Sequence, residues 1–311
     1  MTALLIVGHG TRDADGAADF RAFVDRVSRR ARGAAVDGGF IELSAPPVGD
    51  AVTRLVQAGH RRVAAVPLVL VAAGHAKGDI PGSLNRERSR HPGLSFAYGR
   101  PLGVHPTILA LLEARLDAVL PREERAEAAV LLVGRGSTDP DANAEVYRAA
   151  RLLWEGRGIG TVEAAFVSLA QPSVAEGLER CRRLGAKRIV VLPYFLFRGV
   201  LPDRIAEQAA GYAVAPVIGD CDQLADLVLE RYAEAVAGDI RMNCDTCVYR
   251  IAMPGFEQKV GAVQAPHHHP DEDGLEHSHE HGHEHSHEHG HEHGHDHHCE
   301  QRHHDHAHAH G

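Results

Sequence analysis

The chain has 311 residues, enough for two domains of ordinary size, and a hydrophobic content of 44% supports a real core. Its formal charge of −9 sits in the tail: from residue 267 onward eleven acidic residues face one basic residue, leaving 31 acidic and 32 basic residues before it. The near-neutral body carries no basic stripe interleaved with aromatics, so a nucleic-acid binder is not expected, and no apolar run approaches membrane-spanning length.

Residues 3–8 read as a first strand rather than a signal peptide, since no basic segment precedes the apolar run. Asp15 to Arg32 has helical spacing, with Phe20, Phe23, Val24 and Val27 on one face. Phe40-Ile41-Glu42-Leu43 is expected to be a short second strand. Pro46 and Pro47 open a helix that Gly59 closes. Arg62 to Val71 is expected to be a central strand, with Pro67 marking a bulge or a strand end. Ala72 to Pro81 reads as a loop, Leu94 to Tyr98 as a strand and Pro106 to Leu120 as a helix. Further strands are expected near 128–133, 162–167 and 188–196, and helices near 141–156, 172–184, 202–211 and 222–237.

This second set repeats the first at an offset of 126 residues. Val7-Gly8-His9-Gly10-Thr11 meets Val133-Gly134-Arg135-Gly136-Ser137, Phe40 meets Phe166, and Pro67 meets Pro193. Alternating strands and helices predict an α/β fold of two similar, doubly wound lobes with parallel sheets, facing a cleft. The expected divisions are 1–123, a lobe carrying the site; 124–240, a lobe walling the cleft; and 241–311, a CxxC segment and a disordered His-rich tail.

His9, Glu42 and His75 all fall at or just after strand ends, where open α/β sheets bind ligands. None of the three is kept in the second repeat, where Arg135 and Ser168 stand at the first two positions. Two imidazoles and a carboxylate suit a divalent metal, and a neutral imidazole also accepts protons near neutral pH. Arg12, Lys77, Arg135 and Arg198 sit in loops expected to rim the cleft, where they would suit a ligand bearing several carboxylates. Cys244 and Cys247 form a CxxC pair, two ligands short of a closed zinc site or a four-thiolate cluster. The tail holds 20 of the 25 histidines, a composition that favours Co²⁺, Ni²⁺, Zn²⁺ or Cu²⁺ by ligand type. No P-loop motif supports ATP use. Five cysteines, an odd number, argue against a disulfide framework and for the cytoplasm.

Gly8-His9-Gly10-Thr11-Arg12, Phe40-Ile41-Glu42-Leu43 and Gly74-His75-Ala76-Lys77-Gly78-Asp79-Ile80-Pro81 resemble the class II, ATP-independent sirohydrochlorin chelatases. The CxxC segment and His-rich tail are similar to the long cobalt-chelatase form, in which that motif is associated with an iron–sulfur centre. The resemblance implies that His9 and His75 bind metal and accept protons, that Glu42 supports them, and that the second lobe binds the tetrapyrrole. It further implies Co²⁺ as the metal for cobalamin biosynthesis, with Fe²⁺ for siroheme as the runner-up and Ni²⁺ also admitted. Oligomeric state is left open, since two lobes in one chain already complete a cleft. Two rival readings are a histidine-nucleophile phosphatase or mutase, weakened by Gly8 where an arginine is expected, and a non-enzymatic metal store built on the tail.

Overall fold

The computed structural model describes residues 1–239, 249, 252, 255 and 257–262. Cys244, Cys247 and the His-rich tail lie outside the described residues. Met1–Asp271 forms one compact unit, and its buried apolar residues run from Ala3 to Ala235.

The first half contains β1 (Ala3–Gly8), α1 (Ala14–Arg30), β2 (Val36–Phe40), α2 (Val48–Gln57) and β3 (Arg62–Pro67). A π-helical turn, His75–Asp79, then leads into α3 (Ile80–Arg90), β4 (Ser95–Tyr98) and α4 (Pro106–Asp117). The second half contains β5 (Ala128–Gly134), α5 (Pro140–Trp154), β6 (Thr161–Phe166), α6 (Val174–Arg183) and β7 (Arg188–Pro193). It ends with α7 (Val200–Gln208), β8 (Ala213–Val214) and α8 (Asp222–Ala237). Both sheets are wholly parallel, with orders β2-β1-β3-β4 and β6-β5-β7-β8. Helices cover both faces of each sheet, as the near-continuous apolar strands require. Among the described residues no helix is long and apolar enough to cross a membrane.

Three segments depart from the sequence reading. The second strand runs over Val36–Phe40 instead of Phe40–Leu43. Its Gly38 and Gly39 lie where any Cβ would meet Val24 Cγ2 at 2.5 Å and Val48 Cα at 2.7 Å, so close helix packing excludes side chains there. Leu43, at φ 59°, turns the chain away from the sheet. The central strand ends at Pro67, four residues short of Val71, because proline removes the ladder donor. The expected loop 72–81 holds the π-turn and the start of α3, whose Pro81 sits in the first turn, where no donor is lost.

The two halves also exchange their last helices. Carbonyls beyond β4 accept from the Arg231 guanidinium of α8, at Pro101 O (3.1 Å) and Leu102 O (3.1 Å), and Tyr232 Oη donates to Thr2 O at 2.6 Å. Reciprocally, Arg115 of α4 donates to Val217 O (3.1 Å) and Ile218 O (3.0 Å) of the second half. One apolar core therefore joins Leu4, Ile6 and Val66 of the first sheet to Val130, Leu132 and Val190 of the second, through α1, α4, α5 and α8. The outer face of each sheet has its own smaller core, under α2 and α3 or under α6 and α7.

Candidate metal centre

In an open parallel sheet the crevice for a ligand lies where the strand order reverses. In the first sheet that point lies between β1 and β3. His9 follows β1 directly, and His75 opens the π-turn beyond β3. Glu42 follows β2, and its backbone N donates to His9 O at 3.1 Å. The approach depends on Gly10: at φ 111° and with a Cβ position only 1.9 Å from Glu42 O, the site admits glycine alone.

The three side chains converge. His9 Nε2 lies 2.8 Å from His75 Nε2 and 3.2 Å from Glu42 Oε1. The two rings meet edge to face, with centroids 4.1 Å apart and planes at 86°. One ligand atom from each residue falls within 4.8 Å of the others, close enough to share a single cation. Glu42 is partly exposed and His75 is buried. The set is thus open on the carboxylate side.

Asp79, one helical turn beyond His75, completes the arrangement. Its Oδ2 lies 2.6 Å from His75 Nδ1. A carboxylate there holds the proton on Nδ1 and leaves Nε2 as the ligating nitrogen. His9 Nδ1 lies 3.2 Å from Gly10 O. With both Nδ1 atoms donating, the 2.8 Å contact between the two Nε2 atoms needs one shared proton, in the position where a cation would bridge them.

The four candidate carboxylate-binding cations are disposed differently. Lys77 Nζ reaches across to the second half, 2.7 Å from Asp139 Oδ2 and 3.0 Å from Asp141 Oδ2. All three side chains are buried. Burial opposes the charge on Lys77, but the two carboxylates outweigh it and raise the pKa. Arg198 pairs with Asp19 of α1 at 2.8 Å and is exposed. Both cations therefore tie the halves together. Arg12 follows β1 and is exposed; Arg135 follows β5, half-buried, at the repeat position of His9. Ser168, facing Glu42 in the repeat, keeps the backbone bond to Arg135 O at 2.9 Å but has no carboxylate to offer. The second half lacks a counterpart of the π-turn, because only six residues separate Pro193 from Val200.

Sequence reasoning missed Asp79, Asp139 and Asp141. The i, i+4 spacing of His75 and Asp79 on a turn was the available signal. Nothing local marks the partners of Lys77, which lie 62 and 64 residues away. Of the described cysteines, Cys181 is buried, its thiol pushed up to about 11 by burial, and Cys221 is half-buried.

Two doubly wound lobes, with two imidazoles and a carboxylate at the switch point of one, define an α/β protein of the chelatase kind. The CbiX family profile matches residues 3–119 and 129–235, once per repeat, and the chain belongs to that family. It is 37% identical over 268 residues to the sirohydrochlorin cobaltochelatase of Priestia megaterium, covering 81% of this chain and 86% of that one. It is 34% identical over 236 residues to the sirohydrochlorin ferrochelatase of the same organism, covering 73% and 88%. The fold is similar to that of SirB from Bacillus subtilis with Fe³⁺, at a TM-score of 0.66 and 28% identity over 77% of this chain and 97% of that one. SirB in complex with cobalt gives 0.64 and 26%, over 76% and 97%.

Proposed function

We propose that the protein inserts a divalent metal, cobalt in the first place, into sirohydrochlorin without ATP. The observation that carries this reading is the meeting of His9, Glu42 and His75 within 4.8 Å at the switch point. Its support from relatives is the identity to a cobaltochelatase over most of both chains. The same ligand set serves Fe²⁺, and the match to a ferrochelatase favours siroheme formation as the second reading.

Insertion removes two pyrrole protons and adds a dication, so the charge balances. Two imidazoles and one carboxylate hold the metal weakly and leave coordination positions for the incoming ring nitrogens. As the metal leaves, the Nε2 lone pairs of His9 and His75 are restored beside the ring and accept the two protons. The Asp79 carboxylate, on Nδ1 of His75, strengthens that nitrogen as ligand and base. In this reading residues 1–123 carry the metal, residues 124–240 wall the tetrapyrrole, and residues 241–311 hold or deliver metal in the cytoplasm. Cys244 and Cys247 would supply two of the four thiolates of an iron–sulfur cluster.

The test follows the absorbance of sirohydrochlorin with Co²⁺ or Fe²⁺ and no ATP. Full-length protein is compared with His9→Ala and His75→Ala and with a chain ending at residue 266. Acceleration over metal alone, lost in both histidine variants and kept in the shortened chain at excess metal, is the expected result. Retained activity in both histidine variants overturns the site. Loss of metal capacity without any acceleration points to a metal store.

A further inference from the structure

Lys77 stands two residues beyond His75, inside the turn that carries it, and is anchored in the opposite half of the molecule. The turn itself is a wide, single π-turn closed by the bond from Ile80 N to His75 O. Such turns occur at functional positions, and this one runs directly into α3. Tyr98 Oη holds one side of it, donating to Ala76 O at 2.7 Å. Lys77 holds the other side through Asp139 and Asp141, which begin α5. Asp139 is itself fixed as the N-cap of that helix, accepting from Asp141 N. The anchoring point is therefore rigid, and the ammonium between two carboxylates is enclosed.

The repeat supplies a comparison. The equivalent cap in the first half is Asp13, with Asp15 beyond it. The cation that reaches that helix from the loop after β7 is Arg198, which is exposed, 2.8 Å from Asp19 and 3.9 Å from Asp15. Each half thus sends one cation across to the first helix of the other. Only the crossing beside the metal ligands is buried.

We propose that Lys77 is a positioning residue for metal capture: its ion triad with Asp139 and Asp141 fixes the π-turn so that His75 Nε2 meets His9 Nε2. The proposal rests on the chelatase reading for its kinetic readout and on geometry alone for its structural one. It differs from a role in binding substrate carboxylates, which would act on the tetrapyrrole.

The experiment uses the full chain with Lys77→Met, Lys77→Arg and Asp139→Asn, the last keeping a capping oxygen while removing the charge. The triple variant Lys77→Met/Asp139→Asn/Asp141→Asn removes the buried charges together, leaves no unpaired buried charge, and is therefore less destabilised than either single variant. Arg26→Leu, which breaks a different contact between the halves, Arg26 with Asp220 at 3.0 Å, serves as the control. Kinetics with varied Co²⁺ and varied sirohydrochlorin are paired with hydrogen–deuterium exchange of the peptide spanning residues 74–80.

The expected result in Lys77→Met, Asp139→Asn and the triple variant is a KM for Co²⁺ raised by roughly 10–100-fold, the range for outer-shell partners of metal ligands. KM for sirohydrochlorin stays within about twofold, Lys77→Arg recovers most of the loss, and exchange rises in residues 74–80. Arg26→Leu changes none of these. A raised KM for sirohydrochlorin with that for Co²⁺ unchanged overturns the proposal in favour of substrate binding. Unchanged exchange in residues 74–80 overturns it outright. If the wild-type chain inserts no metal while exchange still rises there in the variants, the chelatase reading falls and the positioning of the turn stands.

Discussion

Gly10 does more for the site than its lack of a side chain suggests. It lets the ends of β1 and β2 approach until His9 and Glu42 share a backbone bond. Gly136 does the same in the second half, where a Cβ would stand 1.8 Å from Ser168 O. Substitution to alanine forces a left-handed backbone and a hard overlap at either position, and each should cost about 2–3 kcal/mol, measured by urea unfolding. Their chemistry should differ. Gly10→Ala should lower the insertion rate by ~100-fold through Glu42 and His9, whereas Gly136→Ala should lower it far less, as steady-state assays will read. Loss of Lys77 has its own thermodynamic signature. Lys77→Met leaves two buried carboxylates without the ammonium between them and should cost about 3–5 kcal/mol in the same unfolding measurement. At this scale the sequence was informative where a residue's chemistry and its strand-end position agreed, as for His9, Glu42 and His75. It did not reach the partners of Lys77, Asp139 and Asp141, which come from the other half.

At the scale of elements, the strand that went unread is the one rich in glycine. Val36-Asp37-Gly38-Gly39-Phe40 has little β-propensity, and its place in the sheet comes from tertiary packing. Gly39→Ala tests this, because the new methyl would meet the backbone of α2 rather than a movable side chain. A loss of about 2–3 kcal/mol in urea unfolding is expected, against about 1 kcal/mol for Gly59→Ala, where only the positive φ is at stake. The π-turn was hidden for a related reason: Gly74, Gly78 and Pro81 look like loop composition, and nothing local announces a wide turn. The repeat, by contrast, was legible to the residue. The starts of α1 and α5, of α2 and α6, and of β3 and β7 each stand 126 positions apart. The shift appears only after β7, where the loop shortens and the ligand-bearing turn is lost.

Over the whole molecule, the exchange of α4 and α8 decides how the halves respond to conditions. Repeats drawn along the chain at 123/124 are units of sequence, and each borrows a helix in space. Arg100 holds α8 to the first sheet through Glu234, 2.7 Å away. Hydrogen bonding from Arg100 depresses the Glu234 carboxyl below its ordinary 4.5, against the opposing effect of burial. A depressed carboxylate stabilises the fold above the unfolded value, and that contribution is lost as pH falls through the folded value. Unfolding free energy should therefore decline below about pH 4.5, and Glu234→Gln should flatten that decline in denaturant titrations between pH 6 and 3. Removing residues 220–311 should uncover the first sheet as well as the second, seen as dye binding and lost cooperativity.

Exchanged helices also set an order of events at the ribosome. The first sheet is complete once Tyr98 has been made, yet the helix that closes its inner face ends at Ala237. At ordinary elongation rates of about 5–20 residues per second that interval should last on the order of 10–30 s, with part of the inner face still uncovered. The nascent first half should for that time expose apolar surface that chaperones recognise, and if the Lys77 anchor is needed the turn carrying His75 should settle only after Asp139 and Asp141 have emerged.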